Sequence, residues 1–419
     1  MKNKPRNWFL KIGALLLALA MLAAACGDSS GDDTASGGDT SAPATTAADS
    51  GGGDTTEAPA TTAAPATTAA DSGGDSMTNA LADICPNPLI IQTDWFPQAE
   101  HGYVYNLIGP DGVVDSDNGT YTGPLGDTGI DVQIRAGGPY IGFSPPSAQF
   151  YSDPDIFMAF VDTATAIRDS GTLPVVAVYA AWQKSPQMLM FDPEKFDFNT
   201  IAEIGDAGTP VLYFEGSAFM DFFIGQGILS QDQVDGSYDG GPSRFITEDV
   251  VQQGFVTNEP WRYQNEYSDF GKPVKSLLNH DAGFEIYEGT LSVKPESITE
   301  DRACLEKIVP MVQQSHADYM ANPGPMNARL EEIITELNSF WTDPPGLNDY
   351  AVNTMKDLGL MGDGPDGYTG NMEEARIQKL IDEFVPILQS LGVDSIKPGL
   401  KASDLFTNEF LDTSISLGF

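Results

Sequence analysis

Basic residues are scarce in this 419-residue chain: 21 lysines and arginines stand against 60 aspartates and glutamates, a formal net charge of −39. That balance excludes a nucleic-acid surface, which needs a basic stripe to meet phosphates. It fits a protein kept soluble outside the cell by its own charge. Histidine and cysteine are rare as well, three of each. His280 and His316 share no metal-ligand spacing and Cys85 has no second Cys or His beside it, so no metal site is expected. The marks of catalysis are missing too. There is no G-x-S-x-G elbow, no H-E-x-x-H helix, no Walker loop and no dinucleotide G-x-G-x-x-G followed by an acid. "GDGPDG" at 362–367 lacks the ligand order of a calcium loop and reads as a turn before the next helix.

Long apolar runs are equally few. The one near the start, residues 12–25, follows Lys2, Lys4, Arg6 and Lys11 and ends at Cys26. It is shorter than the ~18 residues that span a bilayer and fits the core of a secretion signal over residues 1–26. "LAAAC" at 22–26 resembles a bacterial lipobox, in which Cys26 becomes the lipidated first residue. Ala23 stands where that pattern usually has leucine. An ordinary cleaved signal with a chance cysteine is the alternative. Stable anchoring takes more than one acyl chain. The expectation is an exported protein, lipid-anchored to the outer face of the cytoplasmic membrane.

Residues 27–76 are almost wholly Gly, Ser, Thr, Ala, Asp and Pro, and "APATTAADSGG" occurs at both 42–52 and 64–74. Such a segment cannot bury enough apolar surface to offset the entropy of ordering, so it is read as a disordered tether. Its span is roughly 40 Å end to end.

Residues 77–419 are long enough for two lobes with separate cores. Short apolar strands such as "PLIIQT" (88–93), "DIFMAFVD" (155–162), "LPVVAVYAAW" (173–182) and "TPVLYFEG" (209–216) alternate with helical stretches. That alternation predicts an α/β fold with parallel character. From about 300 the pattern turns helical. Cys85 and Cys304, an even pair in an exported protein, are read as a disulfide, with two buried thiols as the alternative.

Polar and aromatic residues gather after the strands: Asp94-Trp95, Gly137-Gly138, Asp162-Thr163, Trp182-Gln183, Glu215-Gly216-Ser217 and Asn258-Glu259-Pro260-Trp261. Ligands of open α/β sheets bind beyond the carboxyl ends of strands, so these loops predict a concave site. Trp95, Trp182 and Trp261 each offer a flat face for a planar ligand, against the plainer reading of a packing residue. Glu259 can accept paired hydrogen bonds from an amino-heterocycle, or sit as an exposed turn acid. His101 can meet a ligand, or cap the helix beginning near Gly102.

"DWFPQAEHGYVY" resembles the opening block of the thiamine-precursor (pyrimidine) binding family, the solute-binding relatives of fungal pyrimidine synthase. "IRAGGP", "LPVVAVYAAWQKSPQMLMF", "FVTNEPW", "GLMGDGPDGYTGNMEEARIQKLIDEF" and "ASDLFTNEFL" resemble its later blocks in order, across roughly 88–412. The resemblance implies a two-lobed type II periplasmic-binding-protein fold with a central cleft. Lobe one would be 86–190 plus 286–419, and lobe two 191–285. By position, Trp95 would stack on a ring while His101 and Tyr105 line the same wall. Gly137, Gly138, Thr163, Gly216 and Ser217 would supply donors, Glu259 would pair with an aminopyrimidine edge, and Trp261 would cover it.

The chain departs from that family in three places. Enzymatic relatives carry a lysine-bound pyridoxal phosphate and a cysteine-rich iron motif. Here Ile91-Gln92-Thr93-Asp94 precedes the turn with no lysine nearby, so no enzyme and no cofactor is expected. Gln98-Ala99-Glu100 replaces an Asn-containing stretch, and 106–130 is longer than the usual pattern. The expected function is the substrate-binding lipoprotein of an ABC importer. As a monomer it would capture an aromatic or heterocyclic, thiamine-pyrimidine-like nutrient and deliver it to a membrane permease. Nitrate, sulfonate or another small organic solute is the alternative cargo. A pyrimidine-synthase-like enzyme and a surface scaffold lipoprotein are the rival classes.

Overall fold

Two β-sheets organise the computed structural model, which describes residues 79–419. The expected signal segment 1–26 with Cys26 and the whole of the expected tether 27–76 lie outside the described residues. The strands are β1 (Leu89–Gln92), β2 (Val113–Asp115), β3 (Thr120–Pro124), β4 (Asp131–Arg135), β5 (Ile156–Val161) and β6 (Val176–Tyr179). After them come β7 (Gln187–Phe191), β8 (Val211–Leu212), β9 (Val234–Asp235), β10 (Val251–Phe255), β11 (Lys275–Leu278) and β12 (Thr290–Val293). β1 and β5 are buried along their whole length. Continuous apolar runs of this kind suit parallel strands covered on both faces.

The first sheet runs β2-β3-β4-β1-β5-β12-β6 and the second β11-β7-β10-β8-β9. Their cores share one plan. β1 lies parallel to β4 and β5, and β12 runs antiparallel to β5 and β6. In the same way β8 lies parallel to β9 and β10, and β7 runs antiparallel to β10 and β11. Each sheet's antiparallel strand arrives directly from the other sheet. The chain crosses once in 180–186 and returns in 279–289. The first crossing therefore ends before the expected lobe boundary at 190, because Gln187–Phe191 already pairs with β10 and β11. The long 106–130 segment forms β2 and β3, a hairpin on the edge of the first sheet whose Gly119 packs against Tyr140.

Helices Arg302–Ala321, Gly324–Leu337, Leu347–Asp357 and Glu374–Ser390 follow β12. In the last, Ile377, Leu380, Ile381, Phe384 and Leu388 are buried, one apolar stripe at helical spacing. Its Phe384 meets Phe222 of the second lobe and Phe284 of the return crossing. The expected Cys85–Cys304 disulfide is formed, with Cα atoms 5.0 Å apart, and ties the chain before β1 to helix Arg302–Ala321. Among the described residues, no helix is long and apolar enough to cross a membrane.

Candidate functional site

The carboxyl ends of β5, β8 and β10 face one another across a cavity of about 200 Å³. Asp162, Thr165 and Arg168 of the first lobe form one wall. Gly216, Ser217, Ala218, Phe219, Gln253, Gly254 and Phe255 of the second form the other, and Gln187 of β7 with Phe284 and Ile286 of the return crossing form the floor. Strand-to-helix turns place the polar groups. Asp162 caps helix Thr163–Arg168, accepting the Thr165 N–H at 2.9 Å and the Thr165 hydroxyl at 2.6 Å. Arg168 at the end of that helix reaches Asp221 of helix Ala218–Gly225 at 3.1 Å, an ion pair from lobe to lobe.

Away from the cavity the lobes also touch along a seam. Arg262 donates to the Thr342 carbonyl at 2.6 Å and lies 5.1 Å from the Trp341 ring. The Tyr350 hydroxyl donates to the Val256 carbonyl at 3.1 Å. The molecule is closed on this side.

Carboxylates crowd the junction of the lobes. Glu288, on the return crossing, accepts the Ser185 hydroxyl at 2.6 Å and the Gln187 amide at 3.0 Å. Burial, and then the charges of Asp162 and Asp94, push its pKa up to about 8, against the opposing pull of those hydrogen bonds. Glu259 accepts the Phe255 N–H at 2.7 Å, yet burial raises it to about 7. Glu100, also raised by burial, adds its charge to that of Glu259. Burial lifts Asp343 to about 7, with the Asn348 amide pulling the other way. A partly neutral acid belt of this kind can share protons with an amino or ring-nitrogen group. Among the described residues, no group of three or more His, Cys, Asp or Glu is placed to hold a metal ion.

Of the residues expected from the sequence, Gly216 and Ser217 line the cavity. Glu259 does not line it: its side chain lies 3.0 Å from where a Cβ on Gly254 would stand, on the face of β10 opposite Gln253. Trp95 follows β1, partly exposed, edge-on to Trp341 at 5.6 Å. A side chain on Gly138 would press on the Trp95 ring. Trp261 is half-buried beside Gly346 at the seam of the lobes.

The others are placed differently. Gly137 and Gly138 spend their N–H groups on the carbonyls of Trp95 and Asp94, at 2.8 and 2.9 Å, so they hold the loop after β1 instead of donating to a ligand. Thr163 is bonded through both its N–H and its hydroxyl to Tyr287 of the return crossing. Trp182 is 3% exposed and Tyr105 1%, both inside the first lobe's core, with Tyr105 packed on Tyr121. His101 is buried, its ring nitrogens facing the Asp94 carboxylate at 2.9 Å and the Phe96 carbonyl at 3.1 Å. It braces the turn that carries Trp95 and does not cap a helix through its side chain.

Gln187, Gln253, Arg168 and Glu288 were missed. A signal existed for one of them: "VVQQGF" places two glutamines inside an apolar strand, and such polar groups need partners.

No protein-family model and no curated protein matches the sequence. Among solved structures, the chain is similar to a putative sulfonate ABC transporter, periplasmic sulfonate-binding protein, from Methylobacillus flagellatus. The match has 13% identity over 78% of this chain and 93% of that one, with a TM-score of 0.50. It is also similar to the periplasmic aliphatic sulphonate binding protein of Escherichia coli. There the identity is 10% over 74% of this chain and 94% of that one, again with a TM-score of 0.50. The fold is the two-lobed periplasmic-binding-protein architecture.

Proposed function

We propose that the protein is the solute-binding component of an ABC importer, lipid-anchored through Cys26, which captures a small organic solute between its lobes and presents it to a membrane permease. The observation that carries this reading is the cavity at the carboxyl ends of both sheets, walled by both lobes and floored by the return crossing and the start of β7. A solute touching both walls favours the closed arrangement over the open one, which is how hinge proteins couple binding to recognition.

The solute class is an aromatic or heterocyclic nutrient with an amino edge, of the thiamine-pyrimidine type. Trp95 supports it as a partly exposed ring among aromatics. Glu259 supports it because only one of its carboxyl oxygens is committed to the Phe255 N–H. Mass spectrometry of the native full-length protein tests the reading by identifying a co-purified solute. In a thermal-shift screen, an amino-heterocycle raises the melting temperature, and Trp95→Ala or Glu259→Ala removes the rise. A library in which no small solute shifts the melting temperature overturns it.

A further inference from the structure

Three hydrogen-bond donors in the cavity wall have no acceptor among the described residues, and all three belong to the second lobe. The first is the side-chain amide of Gln253, a residue only 7% exposed. Its Oε1 accepts the Phe214 N–H at 2.7 Å and the Ser217 hydroxyl at 3.3 Å. A backbone N–H can be met only by the carbonyl oxygen, so Nε2 must point the other way, on a residue that lines the cavity. Gln252, one step earlier, points to the opposite face, where the Tyr238 and Tyr263 hydroxyls hold its amide at 3.0 Å.

The other two donors are the N–H groups of Ala218 and Phe219, which open the eight-residue helix Ala218–Gly225 at the cavity wall. They precede the first intrahelical acceptor, as the first N–H groups of any helix do. No side chain caps this end, because the Ser217 hydroxyl turns back to the Phe214 carbonyl at 2.7 Å. The acids of the cavity are already engaged: Asp162 by Thr165, and Asp221, in the helix's first turn, by Arg168. On this side the surplus is of donors.

We propose that this wall is the subsite for an oxyanion (a carboxylate, sulfonate or phosphate) carried by the cleft's solute, with Gln253 Nε2 and the N–H groups of Ala218 and Phe219 as donors. The inference rests on the solute-binding reading and adds an orientation to it. Uncapped helix N-termini favour negative charge, whereas the belt of Glu288, Glu259 and Glu100 repels it. The oxyanion therefore faces the wall of Gln253, Ala218 and Phe219, and the amino edge of the solute points away from that wall.

Chemical-shift titration of the full-length protein tests the assignment, with methanesulfonate, acetate and inorganic phosphate as probes and acetamide as the uncharged control. The signals of Gln253 Nε2, Ala218 and Phe219 move with an oxyanion and not with acetamide. Gln253→Glu keeps an oxygen for the Phe214 N–H but puts a second oxygen where the donor was, and weakens oxyanion binding about tenfold or more. Ala218→Pro deletes one N–H at the first helical position, where proline is tolerated, and weakens binding severalfold with the probe-free melting temperature unchanged. If Gln253→Glu does not fold, Ala218→Pro decides alone.

The assignment is overturned if none of the three oxyanions moves these signals, or if both variants bind as the unmodified protein does. Should a co-purified solute bind while those results hold, the oxyanion subsite falls and the solute-binding reading stands. If neither a solute nor an oxyanion binds, both fall.

Discussion

Arg376 lies over Tyr287, its guanidinium 3.8 Å from the ring centroid. From that position it donates to the Gln183 carbonyl at 2.8 Å and the Glu285 carbonyl at 2.7 Å, and also to the carbonyl of Ile286. Gln183 belongs to the outgoing crossing, and Glu285, Ile286 and Tyr287 to the return. One side chain of helix Glu374–Ser390 therefore ties together the two strands on which the lobes turn. Arg376→Met leaves those carbonyls without their donor and is expected to destabilise the protein by on the order of 3 kcal/mol in urea unfolding. Amide exchange in 180–186 and 279–289 should speed up more than in β5. Arg376→Lys keeps the charge but not the planar fork, and should fall between the two.

The acid belt makes stability pH-dependent with a definite sign. A carboxyl raised by burial binds more protons in the folded state than in the unfolded one, so stability falls as pH rises through its folded pKa. Glu259 and Asp343 near 7 and Glu288 near 8 all act in that direction. His280 and His316, which burial holds neutral down to about 4 and about 3, act oppositely but only below their ordinary value of 6.5. Between pH 6.5 and 8 the carboxylates act unopposed by these histidines. The ligand-free melting temperature should fall across that interval, and Glu288→Gln together with Glu259→Gln should flatten the fall. A level profile in the unmodified protein would rule out the belt as drawn.

Gly137→Ala should be costly for a reason unrelated to any ligand. A Cβ there would strike the backbone carbonyls of Asp94 and Thr93, and backbone moves less readily than a side-chain tip. A loss of about 2 kcal/mol or more is expected in equilibrium unfolding.

The disulfide closes a sequence separation of 219 residues. In the chain-entropy picture a loop of that size stabilises by up to about 5 kcal/mol. Reductant, or the pair Cys85→Ser and Cys304→Ser, should lower the free energy of unfolding by a like amount, and reductant should then have no effect on the double variant.

The α/β class, the helical C-terminal part and the Cys85–Cys304 pair were legible in the sequence. Buried parallel strands are unbroken apolar runs, and two cysteines in a fold preceded by the pattern of a secretion signal are expected to pair. Which side a strand-end residue faces was not legible. Trp182, Thr163 and Gly137 all follow strands, yet packing and backbone hydrogen bonds claim them before a ligand can. Gln253 shows the converse. Its free amide follows from the Phe214 N–H that holds its oxygen, a contact 39 residues away in sequence. Arg376 left no trace for a similar reason. Its three acceptors lie about 90 and 193 residues off, and nothing in an acidic amphipathic helix marks one arginine as the tie between two crossings.

The exchange of antiparallel strands between the sheets also orders how the molecule is assembled. β5 and β6 are joined only through β12, which lies beyond the whole second lobe in the chain. As the chain emerges amino end first during synthesis, β6 has no neighbour in its own sheet until the second lobe has followed it out. The second sheet has all five of its strands by residue 278. In vectorial folding the later lobe can be complete first, and the return crossing is the step that finishes the earlier one. Phe284 and Ile286 of the cleft floor thus arrive only after the whole second sheet.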